Sequence, residues 1–416
     1  MQCQRCLENL KGVISFGPMP LANAFLPENQ FSDEYFFELA TAFCPSCKMF
    51  QLTEQPDPKM MFHGEYAFFS GTSQAMAGHF EKMARTYLEN FVPSCQEGFV
   101  VELGSNDGIM LRHIAQAGVK HLGFEPSSNV AEVARQNGVN TLCAFFGEAT
   151  ARTVAEEYGQ ADIISAANVM CHIPDLHSVG KGVQALLKDK GVFVFEDPYL
   201  GDVIEKTSYD QIYDEHVYIF SVQSVANAFS PCGLEIFRVE PQTTHGGSMR
   251  YYLGRKGIHD VQNSVKKQLD YELALGLDKV ETYQQFARNC EKSKRDLVRL
   301  LQQLKGEGKR VVGYAATSKS TTVLNYCGIG PDLIEYICDT TPLKQGKFSP
   351  GMHIPIKPYE QFKEDKPDFA VLFAWNHAKE IFAKEKDFIA QGGQWIVFVP
   401  EVKILSSVEN MAKDVA

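Results

Sequence analysis

Basic charge is in short supply in this sequence. Lysine and arginine number 40 against 51 aspartates and glutamates, the net charge is −11, and no block of like charge occurs. A nucleic-acid binder carries a basic stripe, so no nucleic-acid partner is expected. Long apolar runs are missing too. None approaches the length that spans a bilayer, and the opening MQCQRCLENL has no apolar signal core. No membrane partner is expected, and a cytoplasmic location is the default. Nor is there a disulfide framework: the cysteines number eleven, an odd count, and seven are scattered where free Cys behaves as a small hydrophobe. No conspicuous apolar surface pattern stands out, so a monomer is expected. What is present is an ordinary globular composition, 44% hydrophobic and 22% charged, over 416 residues. That length is too great for one core, so two or three domains are expected.

The four remaining cysteines form two pairs, Cys3-Gln-Arg-Cys6 and Cys44-Pro-Ser-Cys47. A C-x-x-C turn aims both sulfurs at one point, and two such knuckles complete a thiolate tetrahedron around Zn²⁺. A redox C-x-x-C would want a surrounding βαβ pattern. With all four positions cysteine, no open coordination site is left for catalysis, so the zinc is read as structural, holding a short lobe with little core of its own. This lobe is assigned residues 1–70.

Residues 71–257 read as an α/β domain. GFVVELGSNDGIMLRHIAQAG is strand, glycine turn and helix, with the strand at 99–103. A second strand closes at Glu125, followed by Pro126 and Ser127; an acid there can accept hydrogen bonds from both hydroxyls of a ribose. A nicotinamide dinucleotide site wants G-x-G-x-x-G. Here the turn is E-x-G-x-N-x-G, Glu102, Gly104, Asn106 and Gly108, which resembles motif I of class I S-adenosylmethionine (SAM) methyltransferases except for Asn106. GVNTLCAFFGEATA gives a third strand and a loop with Glu148, and later strands are expected at 162–167 and 192–196. Alternating strands and helices imply a parallel sheet whose ligands sit beyond the carboxyl ends of its strands. The loops bearing Gly104, Glu125, Asn168–His172 and Asp197–Tyr199 then converge on one cleft.

Into that cleft falls QIYDEHVYIFS, residues 211–221, crowding Tyr213, Glu215 and His216. A solvated turn before a helix is the bland alternative. Next comes THGGSMR, with His245, Ser248 and Arg250, where glycines admit a close approach of a ligand or another strand; His245 and Arg250 could equally brace a hairpin. After a charge-mixed helical stretch, residues 258–416 repeat the strand–turn–helix theme. GYAATSK offers Ser318 and Lys319 ahead of a helix N-terminus, suited to a diphosphate. A strand closing at Asp339, a loop with Lys347, and Trp375–Asn376 at a further strand end complete the candidates. QWIVFVP reads as the last strand. A purely structural Rossmann-like lobe is the alternative for this region.

Taken together, C-x-x-C twice, E-L-G-S-N-D-G, N-V-x-x-H-I-P-D, Y-D-E-H-x-Y-x-F-S, H-G-G-S-M-R, G-Y-A-A-T-S-K and L-K-Q-G-K-x-S-P-G resemble one family over essentially the full length. It is the zinc-containing, SAM-dependent sugar C-methyltransferases of deoxysugar biosynthesis, the family of the tetronitrose-pathway C-3 methyltransferase. The resemblance implies a zinc lobe, a Rossmann-like SAM domain and a C-terminal Rossmann-like domain, with a nucleotide-diphosphate 4-keto sugar lying between the last two. It implies methylation at C-3 through an enolate, with His216 as base, Glu215 and Tyr213 orienting it or holding sugar, His172 as a second histidine, and Tyr66 matching an N-terminal site tyrosine. Tyr199, His245, Ser248, Arg250, Ser318, Lys319, Asp339, Lys347, Trp375 and Asn376 are the candidate sugar and nucleotide contacts. Glu102, Gly104, Asn106, Gly108, Glu125, Pro126, Ser127, Glu148 and Asn168 are those for SAM. An O- or N-methyltransferase and a non-catalytic SAM-binding scaffold are the competing functions; Y-D-E-H argues against the former and the intact Glu102–Glu125 set against the latter.

Overall fold

The computed structural model describes residues 1–61 and 74–405. At the N-terminus the two C-x-x-C turns are built alike. Cys3 N–H donates to the Glu8 carbonyl at 2.8 Å and Leu7 N–H to that of Cys3 at 2.9 Å; Cys44 and Lys48 repeat the pattern with Met49 and Cys44, both at 2.9 Å. Leu7 and Lys48, the fifth residue of each turn, take the left-handed conformation, φ 63° and 62°. Between the turns run β1 (Lys11–Pro20) and β2 (Phe36–Phe43), an antiparallel pair, and after them β3 (Phe50–Leu52). The first residues of β2 alternate exposed and buried, as a strand covered on one face must.

The middle region supplies β4 (Phe99–Leu103), β5 (Lys120–Phe124), β6 (Thr141–Leu142), β7 (Ala161–Ala167), β8 (Leu187–Pro198), β9 (Tyr218–Ile219), β10 (Leu234–Gln242) and β11 (Ser248–Arg255). Seven of these form one sheet in the order β10-β11-β8-β7-β4-β5-β6. β4 to β8 are parallel, and every residue of β4 is buried, the near-continuous apolar run of a strand covered on both faces. The sheet is not wholly parallel as expected: β10 and β11 add an antiparallel hairpin to its edge. β9 leaves this sheet altogether and pairs with β3, Phe50 opposite Ile219 and Gln51 opposite Tyr218, giving a four-stranded sheet β1-β2-β3-β9.

Helices Asn263–Leu275 and Val280–Gly306 lead to the third sheet. Its strands are β12 (Val311–Tyr314), β13 (Ile337–Asp339), β14 (Ile356–Pro358), β15 (Phe369–Leu372), β16 (Gln394–Val397) and β17 (Lys403–Leu405), in the order β14-β13-β12-β15-β16-β17. The stretch QWIVFVP holds β16, but it is not the last strand; β17 follows and pairs antiparallel to it. The apolar stripe of helix Val280–Gly306, including Tyr283 and Phe286, packs on Phe43 and Phe50 of the first sheet, the Phe43 and Tyr283 rings stacking 4.2 Å apart.

Both α/β sheets place their strand order reversal beside the cleft. β4 lies between β5 and β7, and β12 between β13 and β15, and ligands of such sheets bind at that switch point. Among the described residues no helix is long and apolar enough to cross a membrane.

Candidate active site

A cavity of about 360 Å³ lies where the two switch points face one another. From the middle sheet it is bordered by Gly104, Asn106, Glu125, Pro126 and Asn168. From the third sheet come Ser318, Lys319 and Asn376. Tyr213, Glu215, His216, His172 and His245 lie between. Four non-glycine residues at these strand ends, Asn106, Asn168, His245 and Ala315, hold φ between 49° and 70°. Such values are strained and concentrate where backbone is shaped around a ligand.

On the cofactor side, the backbone N–H groups of Asn106 and Ser127 donate to Glu125 at 3.1 and 2.8 Å. Asn106 stands where a glycine is usual because its φ of 49° is one that asparagine tolerates better than other side chains. At Gly104, φ 60°, an added Cβ would collide with Val169. Glu102 is buried on β4, its Oε2 without a hydrogen-bond partner among the described residues. Burial, then the neighbouring Asp107 and Glu125, push its carboxyl well above the usual range. Burial likewise raises Glu125 against the pull of its two N–H donors. Acids crowded beneath a glycine turn, with a carboxylate poised beside the cavity, fit a ligand that carries ribose hydroxyls and net positive charge, as SAM does.

The two imidazoles form the centre. His216 Nδ1 faces the Gln211 carbonyl at 2.7 Å, and Nε2 faces the Tyr213 hydroxyl at 2.7 Å. A carbonyl can only accept, so Nδ1 carries the proton and Nε2 keeps the lone pair, onto which Tyr213 donates. The His172 ring stacks on His216 at 5.3 Å. Burial, then His172, hold His216 well below the ordinary histidine value; burial alone takes His172 to about 4. The YDEH segment is therefore no solvated turn. Nor does a carboxylate set the tautomer of His216. The Gln211 carbonyl does, while Glu215 accepts from the Asn23 side chain at 2.7 Å.

On the third sheet, Asp339 accepts from the backbone N–H of Ala316 and Thr341 at 2.8 and 2.7 Å. This repeats what Glu125 does for Asn106 and Ser127. Lys319 is buried with its ammonium 3.3 Å from Asn376 Oδ1; burial lowers it to about 8, with Asp210 opposing. Lys344 also borders the cavity and Lys347 lines a neighbouring one of about 880 Å³, which shares Asn23, Glu215 and Lys344 with the first.

Several candidates lie elsewhere. Glu148 pairs with Arg152 at 2.8 Å on an exposed helix start and does not border the cavity. Tyr199 turns into the core and donates to Glu272 at 3.0 Å. Arg250 is buried against Glu196 at 2.7 Å and braces the hairpin; Ser248 donates to the Thr244 carbonyl at 3.0 Å. Burial opposes ionisation of Glu196, but the hydrogen bond from His79 and the Arg250 charge hold it at about 2. Trp375 donates to Asp210 at 2.6 Å and lies over Gly246, so its ring is wall, not contact surface. Gly108 and Ser127 do not border the cavity, though Ser127 N–H holds Glu125. Tyr66 lies outside the described residues. Gln211, Asn23 and Lys344 were not singled out from sequence. Asn23 gives no local signal, since its partner Glu215 is 192 positions away.

The zinc candidates meet as their spacing implies. The sulfurs of Cys3, Cys6, Cys44 and Cys47 all lie within 4.8 Å of one another, Cys3 and Cys47 3.5 Å apart and Cys6 and Cys44 likewise. Four thiolates so close suit a tetrahedral zinc ion.

Comparison with known proteins adds the following. A family model named for zinc binding matches residues 3–62, one described as a methyltransferase domain matches 76–239, and one described as a C-methyltransferase C-terminal domain matches 243–400. The C-methyltransferase NovU of Streptomyces niveus is 34% identical over 413 residues, 99% of this chain and 98% of that protein. The ubiquinone biosynthesis O-methyltransferase of Bordetella avium is 26% identical over 111 residues, 26% of this chain and 46% of that protein. Among solved structures, the magnesium protoporphyrin IX methyltransferase of Synechocystis PCC 6803 with bound SAH is 13% identical, covering 43% of this chain and 83% of that one, with a TM-score of 0.33.

Proposed function

This chain belongs to the zinc-containing, SAM-dependent C-methyltransferases, and we propose that it adds a methyl group to C-3 of a nucleotide-linked 4-keto deoxysugar through an enolate formed by His216. In this reading residues 1–70 hold zinc, 71–257 hold SAM and 258–416 take the nucleotide. The observation that carries it is the placement of His216. With Tyr213, whose hydroxyl lies 2.7 Å from its Nε2, it borders a cavity lined on one side by the Gly104–Asn106 turn and Glu125, and on the other by Ser318 and Lys319.

When bound, SAM supplies an electrophilic methyl on a sulfonium. The Gly104–Asn106 turn and Asn168 would hold it, with Glu125 accepting from the ribose hydroxyls. The chain's own residues handle the proton. A C-4 ketone acidifies the C-3 hydrogen, and His216, neutral because it is buried, takes it on Nε2. For this Tyr213 turns its hydroxyl away from Nε2 and toward the developing enolate oxygen, where a phenol or the His172 imidazole stabilises the charge. The positive charge gained by His216 is eased by the Gln211 carbonyl at 2.7 Å from Nδ1. The diphosphate is taken by Ser318 and Lys319 at the start of helix Ser318–Cys327, with Lys344 and Lys347 behind them.

The test is a panel of thymidine, guanosine and cytidine diphosphate 4-keto sugars offered with methyl-labelled SAM. One of them should gain the label, and NMR should place it on C-3. Label on oxygen or nitrogen, or on no sugar at all, would overturn the proposal.

A further inference from the structure

The strand that follows His216 takes its ladder from outside the SAM-binding sheet. β9 is absent from the seven-stranded sheet and pairs with β3 of the zinc lobe, and Leu52 N–H donates to the Val217 carbonyl at 2.9 Å. Opposite Gln51 in that pair stands Tyr218, buried, two residues after His216. Its phenol donates to the Pro174 carbonyl at 2.8 Å, and Pro174 stands two residues after His172. The side-chain amide of Gln4, between Cys3 and Cys6, lies 3.1 Å from the same phenolic oxygen. Gln51 in turn lies 3.5 Å from the Cys3 sulfur. On the other flank the Arg5 guanidinium donates to the Ala228 carbonyl at 2.9 Å, and Asn227 donates to that of Cys47 at 3.2 Å.

We infer that Tyr218 is a positioning residue, its hydroxyl tying the first zinc knuckle to the His172 loop, so that the zinc lobe sets how His172 and His216 face each other. The physical reason is stiffness. A knuckle closed on zinc is held by its metal as well as by its own hydrogen bonds, whereas the His172 segment is a single 3₁₀ turn, Met170–His172, with no sheet of its own. Two short segments that must hold rings 5.3 Å apart are thereby referred to one rigid body. The proposal rests on the reading of His172 and His216 as the reacting pair only for its effect on turnover, not for its effect on geometry.

Tyr218→Phe removes the hydroxyl and keeps the ring. In the full-length zinc-loaded protein it should shift the imidazole proton and nitrogen resonances of both histidines, retain one zinc per chain and leave the SAM dissociation constant unchanged. It should lower kcat about tenfold or more with little change in KM for SAM. Should that variant not fold, Gln4→Ala, at an exposed position that binds no zinc, should shift His172 more than His216. Histidine resonances at their wild-type positions in the folded variant would overturn the inference. Shifted resonances with wild-type turnover would support the positioning and overturn its predicted effect on turnover.

Discussion

At the residue scale, His216 is set up to stay neutral. Its folded-state value lies well below 6.5, because burial and the nearby His172 both disfavour a positive charge. The lone pair on Nε2 therefore survives into acid, and the acid limb of kcat/KM should fall below pH 6.5. A limb above pH 7 would show that another group is being titrated. The same sign governs stability through His172. Between its unfolded value of 6.5 and its folded value of about 4, the unfolded chain binds a proton that the folded chain does not. Stability is thus full above that window and is lost as pH falls through it; a melting temperature that rose from pH 6.5 to pH 5 would contradict this. His216→Asn should abolish wash-in of deuterium at C-3 from heavy water and cut turnover about a hundredfold or more while SAM still binds; exchange at the wild-type rate would exclude it as base. Glu125→Ala removes a carboxylate that the cofactor turn places on the cavity wall and should weaken SAM binding by roughly tenfold to a hundredfold, read by calorimetry.

At the scale of elements, the two α/β sheets use one device twice. An acid at the end of the second strand, Glu125 or Asp339, accepts backbone N–H groups from the loop after the first strand and from two residues beyond itself. In each case it pins a left-handed residue, Asn106 or the neighbour Ala315, so that the loop is shaped before any ligand arrives. The turn between β10 and β11 is held differently. Gly246, φ 87°, lies flat under the Trp375 ring, and a Cβ there would strike the indole. Gly246→Ala should therefore cost on the order of 2 kcal/mol and push Trp375 off Asp210. A denaturation midpoint within error of wild type would show that the ring has room to move.

For the whole molecule, the zinc lobe is not an appendage. Cys3, Cys44 and Cys47 belong to the same buried cluster as Val217, Tyr218 and Phe220, and Phe16, Phe37 and Phe43 belong to that of the third region. Cys44→Ser should therefore lose the zinc and melt the chain in one transition at lower temperature, not release a separate lobe. Metal analysis with calorimetry decides this, and an unchanged main transition would separate the lobe energetically from the rest.

Much of this was legible along the chain because its causes are local. The C-x-x-C spacing, the buried run of β4, the turn through Gly104 and Asn106, and the crowding of Tyr213, Glu215 and His216 each act within a few residues, where backbone geometry alone brings the groups together. Other features had no such signature. Glu148, Tyr199, Arg250 and Trp375 look like site residues by their place at loop or strand ends, yet Arg152, Glu272, Glu196 and Asp210 claim them. Asn23 reaches Glu215, and β9 crosses to β3, over separations of more than 150 residues. Which polar group is left to face the cavity depends on which neighbours have already satisfied it. That is settled by packing among distant segments, since a buried donor or acceptor takes whatever partner the fold brings near.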